Sequence, residues 1–470
     1  MINKSSFIGQ HIADINKEYI FEQELGSGAY GKVYRVKNIQ TNITYACKKL
    51  NKRQISNKQR FKVEIDLLKA TDHPYIVKLL ELYEDNIYLY LIMEECKGGE
   101  LFDRLAKRSK ERNLFSEEVA CEIFKKIMTA INYCHSHGVC HRDIKPENIL
   151  FSDTDDLSSI KVVDFGLSRV FTVEDKIMTS IVGTTYYMSP EVINGNYNEK
   201  CDIWSAGCLL YIMLCGRPPF YAKNDSDLIR KINSKAYSFS YPEFDNVSID
   251  AKDLITRMLC DENIRLTSQG VIDHNWIKMN AQRCKSKILE LDYTNIVNYS
   301  NMNKLKKSVF VNISNRLNNN DTVDLVNIFN TIDKNRDGVI SLKEARSASN
   351  YIKERNHKEL NNGNILEVAN NIERYFKEID IDNNGLINYS EFLASTIDHK
   401  KILQKELIYD AFKLFDANSR GKLSLKNITD IIRPTNNEQL EYIKNMFDKY
   451  DLNHDNYINY EEFLNAIDED

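Results

Sequence analysis

The sequence predicts an α+β chain in which a mixed sheet-and-helix unit precedes an all-α tail. Three observations carry that reading. Short strand-like runs such as YLYLIME give way to longer helical patterns between about Tyr19 and Ile277. From about Lys278 to Asp324 the chain is rich in Lys and Asn, poor in Gly and Pro, and helical in its spacing. Beyond that, one unit recurs four times: an apolar helix containing Phe, a loop opened by Asp, and a second apolar helix. The loops open at Asp333, Asp380, Asp416 and Asp451, at intervals of 47, 36 and 35 residues. The expected boundaries are therefore 19–277, 278–324 and 325–470.

Bulk properties narrow the class. With 470 residues, 42% hydrophobic, 28% charged and only 7 prolines, the chain is long enough for several buried cores and unlike a disordered or fibrous protein. The net charge of -5 is uneven: residues 326–470 hold 19 Lys+Arg against 26 Asp+Glu, or -7, which leaves +2 elsewhere. No nucleic-acid partner is expected. The longest uncharged run, IWSAGCLLYIMLCG from Ile203 to Gly216, falls short of the roughly 20 residues of a membrane helix and reads as a buried core helix. The opening MINKSSFIGQ has neither a secretory apolar run nor a Gly after Met for myristoylation, and the 10 scattered Cys form no C-x-x-C pair. These features suggest a soluble, monomeric cytoplasmic protein with free thiols.

In the mixed unit, LGSGAYGKV places Gly26, Gly28 and Gly31 in a G-x-G-x-x-G pattern. Glycines let backbone approach phosphate, and dinucleotide folds share this spacing. Val33 followed by YACKKL, with Lys48, fits a covering loop between two strands rather than a strand-to-helix turn. HRDIKPEN, His141 to Asn148, and DFG, Asp164 to Gly166, follow in order. With these motifs, residues 19–277 resemble a eukaryotic-type Ser/Thr protein kinase, which implies a bilobal fold, ATP and Mg²⁺.

The resemblance assigns roles residue by residue. Asp143 would orient the substrate hydroxyl, Lys145 would face the γ-phosphate, and Asn148 with Asp164 would hold Mg²⁺. Lys48, paired with Glu64, would contact the α/β-phosphates. The nucleotide would be cradled by Leu25, Gly26, Ser27, Gly28, Ala29, Tyr30, Gly31, Lys32 and Val33, with Ala46, Met93, Glu94, Cys96 and Leu150 around the base and Glu100 at the ribose. Glu191 and Arg265 match a pair that ties the large lobe together, and Asp202 matches the anchor of the catalytic loop. Ser189 stands where many relatives have Ala. Glu100 and Glu147 match positions that hold an Arg upstream of the target hydroxyl, so R-x-x-S/T-like protein substrates are favoured over solvated surface acids. Arg142 could clamp a phosphate on Thr179 or Ser180, although Glu174 and Asp175 already carry charge there.

The tail repeats follow the logic of an oxygen cage: side chains at loop positions 1, 3 and 5, a carbonyl at 7, a water-mediated ligand at 9 and a bidentate Glu at 12. The first loop offers Asp333, Asn335, Asp337, Val339, Ser341 and Glu344. The second offers Asp380, Asp382, Asn384, Leu386, Asn388 and Glu391. The fourth offers Asp451, Asn453, Asp455, Tyr457, Asn459 and Glu462, with Asn456 in place of the turn glycine, a residue that tolerates left-handed backbone. The third, DANSRGKLSLKN, keeps Asp416 and Gly421 but has Arg420 and Asn427 where acids belong, so Ca²⁺ is expected at three loops and not there. It retains Leu423 at position 8, matching Ile340, Ile387 and Ile458, and apolar helix faces at Phe412, Phe415, Ile428 and Ile431. It reads as a structural partner of the fourth loop. Four such units resemble calmodulin, with an insertion around ERNHKELNNGN.

Kinase, connector and four EF-hand loops in this order resemble the calcium-dependent protein kinases of plants and protists. The resemblance implies that the connector blocks the active site until calcium reorganises the tail. The matching segment is MNKLKKSVFVNISNRL: Met302, Leu305, Val309, Ile313 and Leu317 recur at helical intervals, Phe310 widens the stripe, and Lys304, Lys306 and Lys307 are basic. We expect the tail to grip this helix and Lys304 to mimic a basic substrate before Glu100 and Glu147; an ordinary packed helix with a basic edge fits the same pattern. A calcium-dependent binding scaffold with an inactive kinase fold is the competing function, opposed by the complete set of catalytic residues.

Overall fold

The computed structural model describes residues 8–11, 14–28, 31–53, 65–111, 113–154, 159–164, 169–170, 185–280, 288, 291–317, 319–355, 363–403, 405–416, 420–432, 434 and 437–468. The small lobe is built on β1 (Gly9–His11), β2 (Tyr19–Gly28), β3 (Gly31–Asn38), β4 (Thr44–Asn51), β5 (Leu79–Glu84) and β6 (Tyr88–Met93). Their order across the sheet is β1-β5-β6-β4-β3-β2. All neighbours are antiparallel except β1, which runs parallel to β5 with Gly9 opposite Glu81 and His11 opposite Tyr83. Sequence reading began the unit at Tyr19 and did not anticipate this strand; three residues, Gly9 to His11, are too few to show an alternation. β5 is buried from Leu79 to Tyr83, because the lobe's own core and the tail cover it together.

The large lobe is helical: α1 (Leu101–Lys110), α2 (Glu117–Ser136), α3 (Pro190–Ile193), α4 (Lys200–Cys215), α5 (Asp225–Asn233), α6 (Ile249–Met258), α7 (Ser268–Ile272) and α8 (Asn275–Asn280). The uncharged run forms α4, which is apolar all round and buried, as its composition predicts. Gly207 lets this helix meet α6: a Cβ there would lie 2.9 Å from Met258 Cβ. Gly216 ends it at φ +71°, donating its N–H to the Ile212 carbonyl at 2.7 Å. No helix among the described residues is long and apolar enough to cross a membrane.

The connector forms α9 (Tyr293–Ser300) and α10 (Lys304–Arg316). The tail helices are α11 (Asn319–Ile332), α12 (Leu342–Arg355), α13 (Gly363–Asn370), α14 (Ile372–Ile379), α15 (Tyr389–Thr396), α16 (His399–Ile402), α17 (Lys405–Phe415), α18 (Leu425–Ile432), α19 (Asn437–Tyr450) and α20 (Tyr460–Asp468). Loops pair through two-stranded antiparallel contacts, Ile340 opposite Ile387 and Leu423 opposite Ile458, so position 8 joins them as the repeat predicts. The expected insertion falls largely on residues 356–362, outside the described residues. Leu305, Val309, Phe310 and Ile313 of α10 are each 0% exposed and join one core with the tail helices, which fold around the connector rather than beside it.

Candidate functional site

The catalytic-loop motif is held from below by Asp202 on α4. Its carboxylate accepts the backbone N–H of His141 at 2.9 Å and of Arg142 at 2.7 Å, and His135 Nε2 lies 2.9 Å away. Burial opposes this charge, yet His135 and the two N–H donors hold its pKa below the usual carboxylate value. Cys140 and Cys201 lie close enough to Asp202 to suggest a metal cluster, but the carboxylate is already satisfied by these donors, and burial pushes both thiols up. The cluster is a hydrogen-bond hub. Arg142 and Asp164 take left-handed backbone at φ 69° and 63°, the kind of conformation found where side chains must be aimed.

On that support Lys145 Nζ sits 2.8 Å from Asp143 Oδ2, and Asn148 Nδ2 donates to the same oxygen at 2.9 Å. The Val163 N–H bonds the Asn148 carbonyl at 3.0 Å, which brings the residue before Asp164 beside Asn148. Lys48 lies on β4 opposite Val33 and Leu91, and its Nζ reaches Asp164 Oδ1 at 2.9 Å. Its expected partner Glu64 lies outside the described residues, as do Thr179, Ser180, Glu174, Asp175 and the Gly166 of DFG. One wall therefore gathers Lys48, Asp143, Lys145, Asn148 and Asp164. Arg265 makes two bonds to Glu191, joining the segment after Ser189 to the large lobe.

Gly26, Ser27 and Gly28 lead into a hairpin with Ser27 opposite Lys32 and Gly28 opposite Gly31; Ala29 and Tyr30 at its tip lie outside the described residues. At Gly31 a Cβ would lie 2.0 Å from the Lys49 carbonyl oxygen, so the strand pairing itself demands glycine. Leu25 is half exposed at the rim. Ala46 faces Met93 across β4 and β6, and Leu150 bridges Glu100, so these residues line the cleft from both lobes. Burial pushes the Cys96 thiol up to about 12 and leaves it unreactive. Lys161, which sequence reading missed, is 0% exposed and ion-paired with Glu94 at 2.9 Å under the segment joining the lobes. A lysine between Ile160 and Val162 in a strand was its one signal.

Glu100 and Glu147 are brought together. The Glu100 carboxyl is raised first by burial, then by Asp103 and Glu147, while Lys145 opposes the shift. Asp103 joins an acidic corner that sequence reading drew from two residues only. Glu147 Oε2 is buried without a hydrogen-bond donor among the described residues.

The tail loops turn their oxygen atoms inward. In the first, the Gly338 N–H donates to Asp333 Oδ2 at 3.0 Å, while Glu344 accepts from Lys334 at 2.9 Å and Ser341 at 3.0 Å. Asp333 Oδ1 is buried with no donor among the described residues, and burial plus Asp337 push this carboxyl up to about 7. In the second, Asp380, Asp382 and Glu391 converge; burial raises Asp382 to about 6 and Glu391 well above its ordinary value. Asn384 and Asn388 accept backbone N–H groups within this loop, and Leu386 opens the strand contact. In the fourth, Asn456 at φ 64° performs the glycine's turn and donates its N–H to Asp451 at 2.9 Å. Asn453 and Asp455 accept from Asp455 and Tyr457, and Glu462 from Leu452 and Asn459. These oxygen-rich, charge-dense loops fit a hard divalent ion. In the third, where residues 417–419 lie outside the described residues, Asp416 accepts from Gly421, and Asn427 accepts from Ser424 at the position a Glu holds in the other loops.

Lys304 is not brought to Glu100 and Glu147. Its charge is disfavoured by burial and by Lys307, with Glu378 of α14 opposing, and Lys307 itself pairs with Glu378 at 2.6 Å. The same helix thus presents its basic edge to the tail. The first two tail units touch the two-lobed unit: Asn132 on α2 donates to the Asn335 and Arg336 carbonyls at 3.2 and 2.8 Å, and Asp72 accepts twice from Ser390.

Comparison with known proteins agrees with this geometry. The protein kinase domain family matches residues 19–277, and the EF-hand domain pair matches 322–397 and 405–468. Calcium-dependent protein kinase 3 of Plasmodium berghei is 37% identical over 457 residues, covering 95% of this chain and 79% of that protein. Calcium-dependent protein kinase 4 of Plasmodium falciparum is 36% identical over 472 residues, covering 98% and 88%.

Proposed function

The chain belongs to the calcium-dependent protein kinase family, and from that membership we propose that it transfers the ATP γ-phosphate to Ser or Thr in proteins carrying an upstream Arg. In this reading Asp143 orients the acceptor hydroxyl, Lys145 neutralises charge at the transferred group, and Lys48 positions the phosphates. Asn148 and Asp164 would hold Mg²⁺, which supplies the charge neutralisation that phosphoryl transfer needs. Glu100 and Glu147 would take the guanidinium. The observation that carries the substrate class is Glu147 Oε2, a buried carboxylate oxygen with no donor among the described residues, beside a second acid whose charge is already disfavoured.

Calcium at the first, second and fourth loops would hold the tail around α10 and so keep the connector out of the substrate cleft. The burial of Leu305, Val309, Phe310 and Ile313 in the tail core, with Lys307 on Glu378, supports this reading. When the ions leave, the connector would be released to compete for Glu100 and Glu147. The nine described cysteines are free thiols, which suits a reducing cytoplasm. The test is phosphate transfer to an R-x-x-S peptide and to its Ala-x-x-S counterpart, with calcium and with chelator. Transfer to both peptides alike would remove the acidic corner from specificity, and transfer indifferent to chelator would remove the switch.

A further inference from the structure

The third helix–loop–helix unit lacks the ligand set of its siblings, yet its entering helix carries a deeply buried charge in the interface between tail and kinase. Asp410 on α17 is 1% exposed and accepts from Arg316, the last residue of α10, at 3.0 Å. The other arm of the same guanidinium donates to Glu81 of β5 at 2.8 Å. Glu81 is itself 2% exposed, and its second oxygen accepts from the hydroxyls of Tyr19 and Tyr83 at 3.0 and 3.1 Å. One helical turn beyond Asp410, Lys413 pairs with Glu18 at 2.6 Å. The hydroxyl of Tyr45 reaches Asp410 at 3.4 Å, and His11 on β1 stacks on Tyr83 at 4.7 Å, closing the side of the cluster.

We infer that the third unit is a docking element of the calcium-bound arrangement, by which the tail recognises the small lobe through Arg316, Asp410 and Lys413 against Glu81 and Glu18. The inference rests on the calcium-switched reading above and assigns the unit that reading leaves without work. Its charges come from the helix before Asp416, not from the loop, so no ion at the third loop is needed to place them, and the Asp416–Gly421 and Asn427–Ser424 bonds hold the described ends of that loop. The pairing of Leu423 with Ile458 ties this fixed element to the fourth loop, which does hold a ligand set. Without Arg316, Glu81 and Asp410 would confront one another with like charge, so connector, kinase and third unit must assemble together. The extra strand β1 shields that assembly from water.

A charge swap in the full-length chain tests this. Glu18→Lys and Lys413→Glu should each loosen hydrogen-exchange protection of β5 and α17 in saturating calcium and raise the calcium needed for half-maximal phosphate transfer by about threefold or more. The double variant should recover both readouts, which a mere folding defect does not predict. Arg316→Met should lose protection further, with calcium stoichiometry unchanged. Single variants with unaltered protection, or a double variant no better than either single, overturn the inference. If the unmodified chain transfers phosphate regardless of calcium while the swap still rescues protection, the switch fails and the docking element stands.

Discussion

The carboxylate of Asp72, in the kinase, caps the helix that follows the second calcium loop: it accepts the Ser390 N–H at 3.0 Å and the Ser390 hydroxyl at 2.8 Å. Ser390 immediately precedes Glu391, the residue expected to chelate with both oxygens. An anion at a helix N-terminus stabilises the first turn, and a buried charged hydrogen bond contributes about 1.5–3 kcal/mol. Docking and the placing of Glu391 are therefore one event. Asp72→Asn should weaken calcium binding at this loop by about tenfold, seen as a lost tight step in titration calorimetry of the full chain; an unchanged isotherm would falsify the coupling.

The first two loops should respond to pH in a definite direction. Burial holds Asp333 at about 7 and Asp382 at about 6, both above the ordinary value of 3.8. A raised acid favours the metal-free fold at low pH; that contribution is complete below the unfolded value and disappears as pH rises through the folded one. Without calcium the melting temperature should thus fall between about pH 4 and pH 7 through these groups, and Asp333→Asn should flatten the part near neutrality. With calcium the sign reverses, because protons compete for the same oxygens, so affinity should drop as the solution is acidified through about pH 7. Proton release measured in two buffers of different ionisation enthalpy checks it.

How much of this was legible in the sequence depends on whether the cause is local. HRDIKPEN and DFG announced Asp143, Asn148 and Asp164, because their spacing along the chain is their spacing in the site. Asn456 at φ 64° was legible too, since its place in the twelve-residue loop dictates the turn. Lys304 was not: amphipathic spacing shows that α10 has an apolar stripe but not which surface covers it, and the structure sets its basic edge on Glu378. Asp72, Asn132, Glu81 and Asp410 were invisible for the same reason. Each looks like an ordinary polar residue until a partner hundreds of positions away arrives.

Lys161 should matter out of proportion to its distance from the chemistry. It is fully buried, and its ammonium pairs with Glu94, which also accepts the Lys78 N–H at 2.7 Å. Removing one partner of such a pair leaves the other poorly compensated, at a cost discounted here because Glu94 keeps some solvent access. Lys161→Met should lower thermal stability by about 1–3 kcal/mol and raise the KM for ATP more than it lowers kcat. A change confined to kcat would contradict a positioning role at the segment joining the lobes.

Lys422 of the third loop should compete with a cation at the fourth. Its Nζ lies 3.5 Å from Asp455 Oδ2 and 4.1 Å from the centre of the Tyr457 ring. Both charges are about two-fifths exposed, so the interaction is weak, on the order of a few tenths of a kcal/mol. Lys422→Gln should raise calcium affinity at the fourth loop by less than about threefold, and the gain should vanish in high salt. An equal gain at every ionic strength would point to reshaping of the loop instead.

Counting ions tests the division of labour among the loops. If each ion favours the active arrangement about tenfold, three shift the balance about a thousandfold, taking a 1:99 mixture to about 10:1, while two leave it near even. Glu344→Gln, Glu391→Gln and Glu462→Gln should therefore each remove one tight calcium per chain and cut activation at saturating calcium by about half, measured by equilibrium dialysis alongside phosphate transfer. Asn427→Ala should remove none. Among the described residues of its loop Asn427 bonds Ser424, and Arg420 stands where a carboxylate would meet the ion, so even Asn427→Glu leaves position 5 repelling calcium. The third loop regains an ion only if Arg420→Asp accompanies it, and a fourth tight site from Asn427→Glu alone would refute this account of its silence.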